Sequence, residues 1–233
     1  MTFSIGTMMQ NSLKDIENVI FPQICRYCDT NLKQKEIYIC YECISNVPHT
    51  EMGDWRNIVT SSEHIDFAIS AFWYDDLLND CVHKSKYNGY QKLLRIISKY
   101  AAEIIQNDLI PLNIDLLIPV PLHSTRKRER GFNQAQIISE SFSNYYKIPS
   151  DSKILKRNSW TDSQTSMNIS ERKENISNVF KLHNKPEKHT IAVIDDVLTT
   201  GATSNECCRI LKEGGAEKVG VITLATPKLR KNG

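Results

Sequence analysis

The sequence predicts an α/β fold that contains a buried parallel sheet. Residues 116–118 (Leu-Leu-Ile) and 191–194 (Ile-Ala-Val-Ile) are continuous apolar runs. Runs without polar alternation are typical of strands that are buried on both faces of a parallel sheet. Helical spacing of apolar residues is found before the first of these runs, at Leu93, Leu94, Ile97, Ala101, Ile104 and Ile105, and between the two runs, at Phe132, Ala135, Ile138, Phe142 and Tyr145. A chain of 233 residues is long enough for one such domain and a small additional module.

The composition is that of an ordinary globular protein. Hydrophobic residues make up 40% of the chain and charged residues 24%, and the formal net charge of +2 says little about partners. No signal-peptide pattern and no apolar run of about 18 residues is visible, so we expect no membrane insertion. Seven cysteines without a secretory segment predict a reducing, cytoplasmic environment. A P-loop nucleoside triphosphatase is disfavoured because the Gly-Lys-Ser/Thr signature is missing.

Two Cys-x-x-Cys pairs near the N-terminus predict a metal site. Cys25 and Cys28 are followed, after eleven residues, by Cys40 and Cys43. Four thiolates without an open position favour a closed, structural zinc site, whereas a redox dithiol or unrelated core cysteines are the alternative. Apolar residues over 8–20 predict a short amphipathic helix in front of this module.

The next part of the chain contains a linker, a strand and a helix. Residues 50–64 are polar and are interpreted as a linker. Alternation from Ile65 to Trp73 predicts a half-buried strand, and residues 77–82 predict a helix in which Cys81 is a core residue. Lys86 lies in a turn before Gly89; it is a candidate phosphate or pyrophosphate contact, or else a plain exposed lysine.

Two loops carry further candidates for ligand binding. The strand at 115–122 leads into a cationic loop, and the carboxyl ends of strands in open α/β sheets are where ligands bind. We expect this loop to contact pyrophosphate or a nucleic-acid backbone through Arg126, Arg128 and Arg130. The alternative is that it forms a solvated surface. Residues 158–175 hold few large apolar side chains and predict either a functional lid or a disordered loop. In a lid, Arg172 and Asn175 would close over a ligand.

The stretch 191–203 has the strongest functional signal. The apolar run enters Asp195 and Asp196, where we expect the strand to end, and a Thr-Thr-Gly-Ala-Thr turn follows. A helical pattern then runs to Gly214 and Gly215. Free backbone N–H groups at a helix N-terminus hold phosphate, whereas carboxylates accept hydrogen bonds from sugar hydroxyls. A ribose 5-phosphate satisfies both halves of the stretch; a solvated Asp pair beside a polar turn is the alternative.

This stretch resembles the 5-phosphoribosyl-1-pyrophosphate (PRPP) motif of type I phosphoribosyltransferases. Further motifs in the same order resemble the ComF family of competence-associated proteins, and they cover the chain from Cys25 to about Thr226. These motifs are the four cysteines, Lys86-Tyr87-x-Gly89, Pro119-Val120-Pro121-Leu122, Arg130-Gly131-Phe132-Asn133-Gln134, Gln164 with Arg172 and Asn175, and Asp195 through Thr203.

The resemblance implies a twisted, mainly parallel sheet flanked by helices over residues 51–233, with a hood at about 65–90. It implies an N-terminal helix and zinc-ribbon module over residues 1–50. It also implies Mg²⁺ bound with PRPP, and catalytic roles for Asp195, Asp196 and Arg172. The phosphate would be held by Val197, Leu198, Thr199, Thr200, Gly201, Ala202 and Thr203.

Three functional hypotheses remain open from the sequence. The first is transfer of phosphoribosyl from PRPP to an unidentified amine or nucleobase, with release of pyrophosphate. The second, implied by the ComF resemblance, is handling of single-stranded DNA during natural transformation, without catalysis. The third is a scaffold whose zinc module binds another protein, such as a DNA-uptake helicase.

Overall fold

The computed structural model describes residues 22–33, 36–50, 59–84, 91–123, 125, 128–129, 131–157, 179–186 and 189–228. Several predictions lie outside these residues: the helix over 8–20, the lid over 158–175 with Gln164, Arg172 and Asn175, and the cations Lys86, Arg126 and Arg130. The chain forms two compact units, Met1–Val47 and Pro48–Gly233. The predicted division at residue 50 and the hood at 65–90 stay predictions.

Helices and strands alternate through most of the second unit. In the first unit the one described helix is α1, Tyr41–Ser45. In the second unit the order is β1 Ala68–Trp73, α2 Asp76–Lys84, α3 Gln91–Ile104, α4 Gln106–Leu109, a 3₁₀ turn Ile110–Leu112, β2 Leu116–Pro119, α5 Gln134–Tyr146, β3 Leu155–Arg157, β4 Phe180–Leu182, β5 Thr190–Val197, α6 Ala202–Glu213 and β6 Lys218–Thr226. None of the helices in these described ranges has the length and apolarity that crossing a membrane requires.

The core is a four-stranded parallel sheet in the order β1-β6-β5-β2. Residues 191–194 of β5 have no exposed surface. Since neighbouring side chains of a strand point to opposite faces, β5 is covered on both sides, as its sequence predicts. Helix α6 packs on β5 and β6, α5 packs on β2 and β5, and α3 packs on β1 and α5.

Two strand predictions need correction. Strand β1 is not half-buried: five of its six residues are buried. Its outer edge is covered by Pro48–Thr50, since Trp73 N–H donates to the Pro48 carbonyl at 2.8 Å and Thr50 N–H to the Ala71 carbonyl at 3.1 Å. Strand β5 does not end at Asp195 but continues to Val197. It continues because β6 is long enough to pair with it through Ala225.

A second, two-stranded sheet was not predicted from the sequence. Strands β3 and β4 pair antiparallel, with Leu155 opposite Leu182 and Arg157 opposite Phe180. Leu155 and Phe180 are buried in the main core cluster, so this ribbon is attached through one apolar face. It lies next to α6, where the Leu182 side chain approaches Gly214.

Candidate functional site

Asp195 and Asp196 lie where β5 outruns its neighbour β2. The last β2 contact on that side is the Val120 N–H, which donates to the Ile194 carbonyl at 2.9 Å. Beyond it the two aspartates pair with β6 alone, and both are only partly buried. Each carboxylate accepts a hydrogen bond from the following backbone N–H, at 2.9 Å for Asp195 and 2.8 Å for Asp196. The strand therefore continues while its acidic side chains reach a cavity.

That cavity has a volume of about 220 Å³ and is lined by both polar and apolar residues. It is lined by Val120, Pro121, Leu122, Asn133, Gln134, Ala135, Arg157, Asp195, Asp196 and Thr203. The two carboxylates, the first helical turn of α6 and one arginine thus meet in one place. Cavities at the carboxyl ends of parallel strands are the common ligand sites of open α/β sheets.

The electrostatics of the acidic pair favour a bound cation or hydroxyl donors. Burial and the neighbouring Asp196 charge raise the pKa of Asp195 well above its usual value, and the Arg157 charge offsets this only in part. A carboxylate that is costly to ionise is stabilised by a hard cation or by O–H donors. The oxygen donors of this pair therefore fit Mg²⁺, whose coordination they would share with a ligand and water.

The loop that follows has the form of an anion site. Gly201 is the N-cap of α6 with φ of 78°, a left-handed conformation that favours glycine. Within the described part of the chain, the backbone N–H groups of Thr199, Thr203 and Ser204 have no acceptor, and the Ala202 N–H has only a 3.4 Å contact with Thr200 Oγ1. Open amides at the start of a twelve-residue helix attract phosphate through hydrogen bonds and the helix dipole.

A segment that the sequence presented as a linker supports this loop. We call Val59–Asp66 the strap. Ser61 N–H and Thr60 Oγ1 donate to the Thr200 carbonyl at 3.2 and 3.3 Å. Further along, His64 N–H donates to Asn205 Oδ1 at 2.8 Å. The strap therefore holds both the loop and the first turn of α6.

The strap is itself anchored at its C-terminal end. The Asp66 carboxylate accepts from Lys212 Nζ and from the Val219 N–H, both at 2.7 Å. Apolar burial of Val59 and Ile65 in the core cluster adds to this attachment. The sequence signal for the strap was weak, because most of its residues are polar and Ile65 also fits the alternating pattern of the strand that follows.

The Asn133-Gln134 pair builds a wall of the cavity. Asn133 caps α5 by accepting from the Ala135 N–H at 3.2 Å, and its amide donates to the Val120 carbonyl at 2.9 Å. Gln134 is buried and donates to the Val82 carbonyl at 2.9 Å. These contacts join α5 to the ends of β2 and α2. The Asn133-Gln134 pair therefore fixes the position of the start of α5, which lines the same cavity as the two aspartates.

Two cavity neighbours escaped the sequence analysis. Arg157, at the end of β3, lines the cavity and lies over the Phe180 ring with 5.4 Å to its centroid. Tyr74 follows β1; burial and the Asp196 charge raise its pKa, and its hydroxyl donates to Asn79 Oδ1 at 2.9 Å. Of the predicted basic loop, Arg128 is described and exposed, and it is not among the cavity-lining residues.

The four predicted metal ligands come together in the first unit. The Sγ atoms of Cys25, Cys28, Cys40 and Cys43 all lie within 4.8 Å of one another. The Cys25–Cys43 and Cys28–Cys40 Sγ distances are 3.8 and 3.6 Å. A tetrahedral ion with Zn–S bonds of about 2.3 Å places sulfurs about 3.8 Å apart. The cluster therefore has the size of a four-thiolate zinc site.

Two of these sulfurs also accept backbone hydrogen bonds. Cys40 N–H donates to Cys25 Sγ and Cys43 N–H to Cys40 Sγ, each at 3.4 Å. Such contacts orient metal-bound thiolates. Cys81, in contrast, is buried in the second unit as predicted.

Comparison with known proteins identifies the family to which the second unit is similar. The family described as phosphoribosyl transferase domain matches residues 83–232. Competence protein F of Haemophilus influenzae is 37% identical over 114 residues, which cover 48% of this chain and 50% of that protein. The chain therefore spans about half the length of that relative.

Two further relatives match over most of their length. The DNA utilization protein YhgH of Salmonella typhi is 25% identical over 85% of this chain and 88% of its own. Competence protein ComFC of Bacillus subtilis is 27% identical over 87% of this chain and 83% of its own. The predicted resemblance to competence proteins is thus confirmed.

Proposed function

This chain belongs to the phosphoribosyl transferase domain family, and we propose that its cavity binds PRPP or a nucleotide carrying ribose 5-phosphate. One observation supports this most strongly: a partly buried carboxylate pair and a row of open backbone amides stand on one strand-loop-helix unit. A phosphate alone would satisfy the open amides but would be repelled by the two carboxylates. A sugar hydroxyl group and a phosphate in one ligand satisfy both.

Each residue then has a distinct task. The Asp195 and Asp196 carboxylates accept hydrogen bonds from the ribose hydroxyls. The open amides of Thr199 and of residues 202–204, together with the threonine hydroxyls, donate to the 5-phosphate. The predicted Val197 and Leu198 amides do not take part, because they donate to the Asp196 carboxylate and to the Ala225 carbonyl. When bound, Mg²⁺ supplies charge neutralisation for the pyrophosphate oxygens.

We further propose that the bound PRPP reacts. The bond between C1 of the ribose and the pyrophosphate oxygen breaks, and pyrophosphate leaves with the electron pair. An amine or nucleobase nitrogen forms the new bond to C1 and releases its proton to water. Negative charge grows on the leaving group, which Arg157 in the cavity is placed to stabilise. Arg172 and Lys86 are proposed for the same role, and the lid for exclusion of water.

PRPP-dependent release of pyrophosphate tests the catalytic step. The purified protein is incubated with PRPP and Mg²⁺ and with a panel of nucleobases and amines. We expect release with one acceptor class and loss of release in Asp195→Asn. Intact PRPP binding without release for every acceptor would contradict catalysis and leave a binding protein.

A second candidate function is the handling of nucleic acid by a cytoplasmic protein. Relatives are named for competence and for DNA utilization. The exposed Arg128, on the loop after β2, offers a cation for a phosphate backbone. A DNA-uptake helicase is the partner proposed for the cysteine module, with zinc as its structural ion.

A further inference from the structure

The strands β3 and β4 and the residues beside them form an unusually basic surface. We call residues 153–157 and 179–186 the lysine ribbon. These two stretches contain no Asp or Glu and five cations, Lys153, Lys156, Arg157, Lys181 and Lys185. The whole chain has 29 basic and 27 acidic residues, so this concentration is a local feature.

Two of these lysines face each other directly. Lys156 is the antiparallel partner of Lys181, and both side chains are exposed. Like charges on directly opposite residues destabilise a strand pair. The buried Leu155 and Phe180 hold the other face of the ribbon in the core, so the two ammonium groups cannot separate by turning the strands.

The described residues provide no ion pair for the four lysines of the ribbon. The nearest acid in the described sequence, Asp151, accepts from the Lys153 backbone N–H at 2.7 Å. The Asp151 carboxylate therefore stabilises the turn at residues 151–153 and forms no ion pair with the Lys153 ammonium group. A positive surface without ion pairs to the described residues raises the local concentration of anions.

Each end of the ribbon borders a concave region. At one end Arg157 lines the cavity of the acidic pair. At the other end Lys153 and Lys185 line an open cleft of about 600 Å³. Ser150, Ser152 and Asn184 add neutral polar groups to the cleft, and Asp151 adds one carboxylate, which accepts from the Lys153 backbone N–H. Lysine, serine and asparagine side chains are common donors to phosphate oxygens. Cations at both ends of the ribbon and on its exposed face suit an extended polyanion better than a single small anion.

We propose that the lysine ribbon binds the phosphodiester backbone of a nucleic acid. The proposal rests on the second candidate function above and assigns it a surface. Lysine is a point charge that pairs with any phosphate. Phe180 is buried beneath Arg157, so His183 is the one exposed ring of the ribbon on which a base could stack. Binding is therefore independent of sequence and sensitive to salt.

The test is a salt series of fluorescence anisotropy titrations. The probes are a fluorescein-labelled oligothymidylate and a labelled duplex of the same length, which distinguish single from double strands. For the single strand, Lys156→Gln/Lys181→Gln should make the negative slope of log K against log salt shallower by about 1.4, since each phosphate contact contributes about −0.7. The matched control, Lys92→Gln/Lys99→Gln, removes two exposed lysines of α3 and should change nothing.

A single charge reversal separates loss of binding from loss of folding. Lys156→Glu places a carboxylate opposite Lys181, so it should raise the melting temperature while weakening binding of the oligonucleotide. PRPP binding, followed by calorimetry, should stay unchanged in every ribbon variant. This combination cannot arise from misfolding.

Three results would overturn the proposal in distinguishable ways. If the ribbon variants bind the oligonucleotide as the unaltered protein does, the ribbon is not the surface and the second candidate function stands. If the unaltered protein binds neither probe, both fail, and the PRPP proposal is judged by calorimetry alone. If polyglutamate competes as well as the oligonucleotide at equal charge, the surface does not select nucleic acid.

Discussion

Ser61 and Gly201 approach so closely that no side chain fits at residue 201. A Cβ there would lie 2.9 Å from the Ser61 carbonyl oxygen and 2.9 Å from Val59 Cβ. Backbone atoms of the strap cannot yield as a flexible side chain would. The strap and the phosphate loop therefore form one structural unit, although some 140 residues separate them.

We predict that Gly201→Ala lowers the free energy of unfolding by about 2–3 kcal/mol, of which about 1–2 come from the left-handed backbone. PRPP binding should be lost, because the strap must move away from the loop. Denaturant unfolding and calorimetry measure the two effects. The control is Gly215→Ala, where φ is 105° but nothing lies within 4 Å of the added Cβ. Equal effects of both substitutions would contradict a role for the strap.

Asn205 tests the other attachment of the strap. Asn205→Ala removes the acceptor of the His64 N–H, which should cost about 1 kcal/mol and weaken PRPP binding about fivefold. Asn205→Asp keeps an oxygen acceptor at the same position and should largely retain binding. Weak binding in both variants would show that the amide acts in some other way.

The pH dependence of stability follows from the raised pKa of Asp195. Its usual value is 3.8, and in the folded protein it lies well above this, so the folded state binds a proton more tightly than the unfolded state. Stability therefore falls as the pH rises from about 4 through the folded pKa. Asp195→Asn removes this loss of stability. At neutral pH and without ligand, we therefore expect the variant to have a higher melting temperature than the unaltered protein. The difference should shrink in acid; a difference independent of pH would contradict the assignment.

Zinc content tests the cysteine cluster. We predict one zinc ion per chain by native mass spectrometry, and its loss in Cys28→Ser. Because a module this small depends on its metal, residues 22–47 should become sensitive to protease once the ion is removed. Cys81→Ser, which changes a buried cysteine of the second unit, should retain the ion. Retention of zinc in Cys28→Ser would contradict four-thiolate binding.

Much of the fold could be predicted because its signals are local. The apolar run of residues 191–194 has no polar interruption, and the Gly214-Gly215 pair ends α6 as expected, with Gly214 as C-cap. The spacing of the four cysteines in two Cys-x-x-Cys pairs is enough to predict that their sulfurs cluster. The acidic pair and the threonine turn are adjacent in sequence, so their juxtaposition needed no tertiary information.

The features that were missed depend on contacts between distant parts of the chain. The β3–β4 pair consists of two three-residue strands far apart in sequence, and neither has a period that can be recognised. The strap looks like a polar linker because its hydrogen bonds use mainly backbone groups, which the sequence does not reveal. Strand β5 continues through Asp195 and Asp196 because β6 pairs with it there. This pairing depends on the register of the two strands, which the sequence does not reveal.

Calorimetry of PRPP with Mg²⁺ tests the central claim most directly. The full chain should bind PRPP at one site, and Asp195→Asn/Asp196→Asn should abolish binding while the protein remains folded by circular dichroism. Lys92→Gln/Lys99→Gln, far from the acidic pair in sequence, should bind as the unaltered protein does. Unchanged PRPP affinity in the double aspartate variant would contradict the assignment of the ribose to this pair.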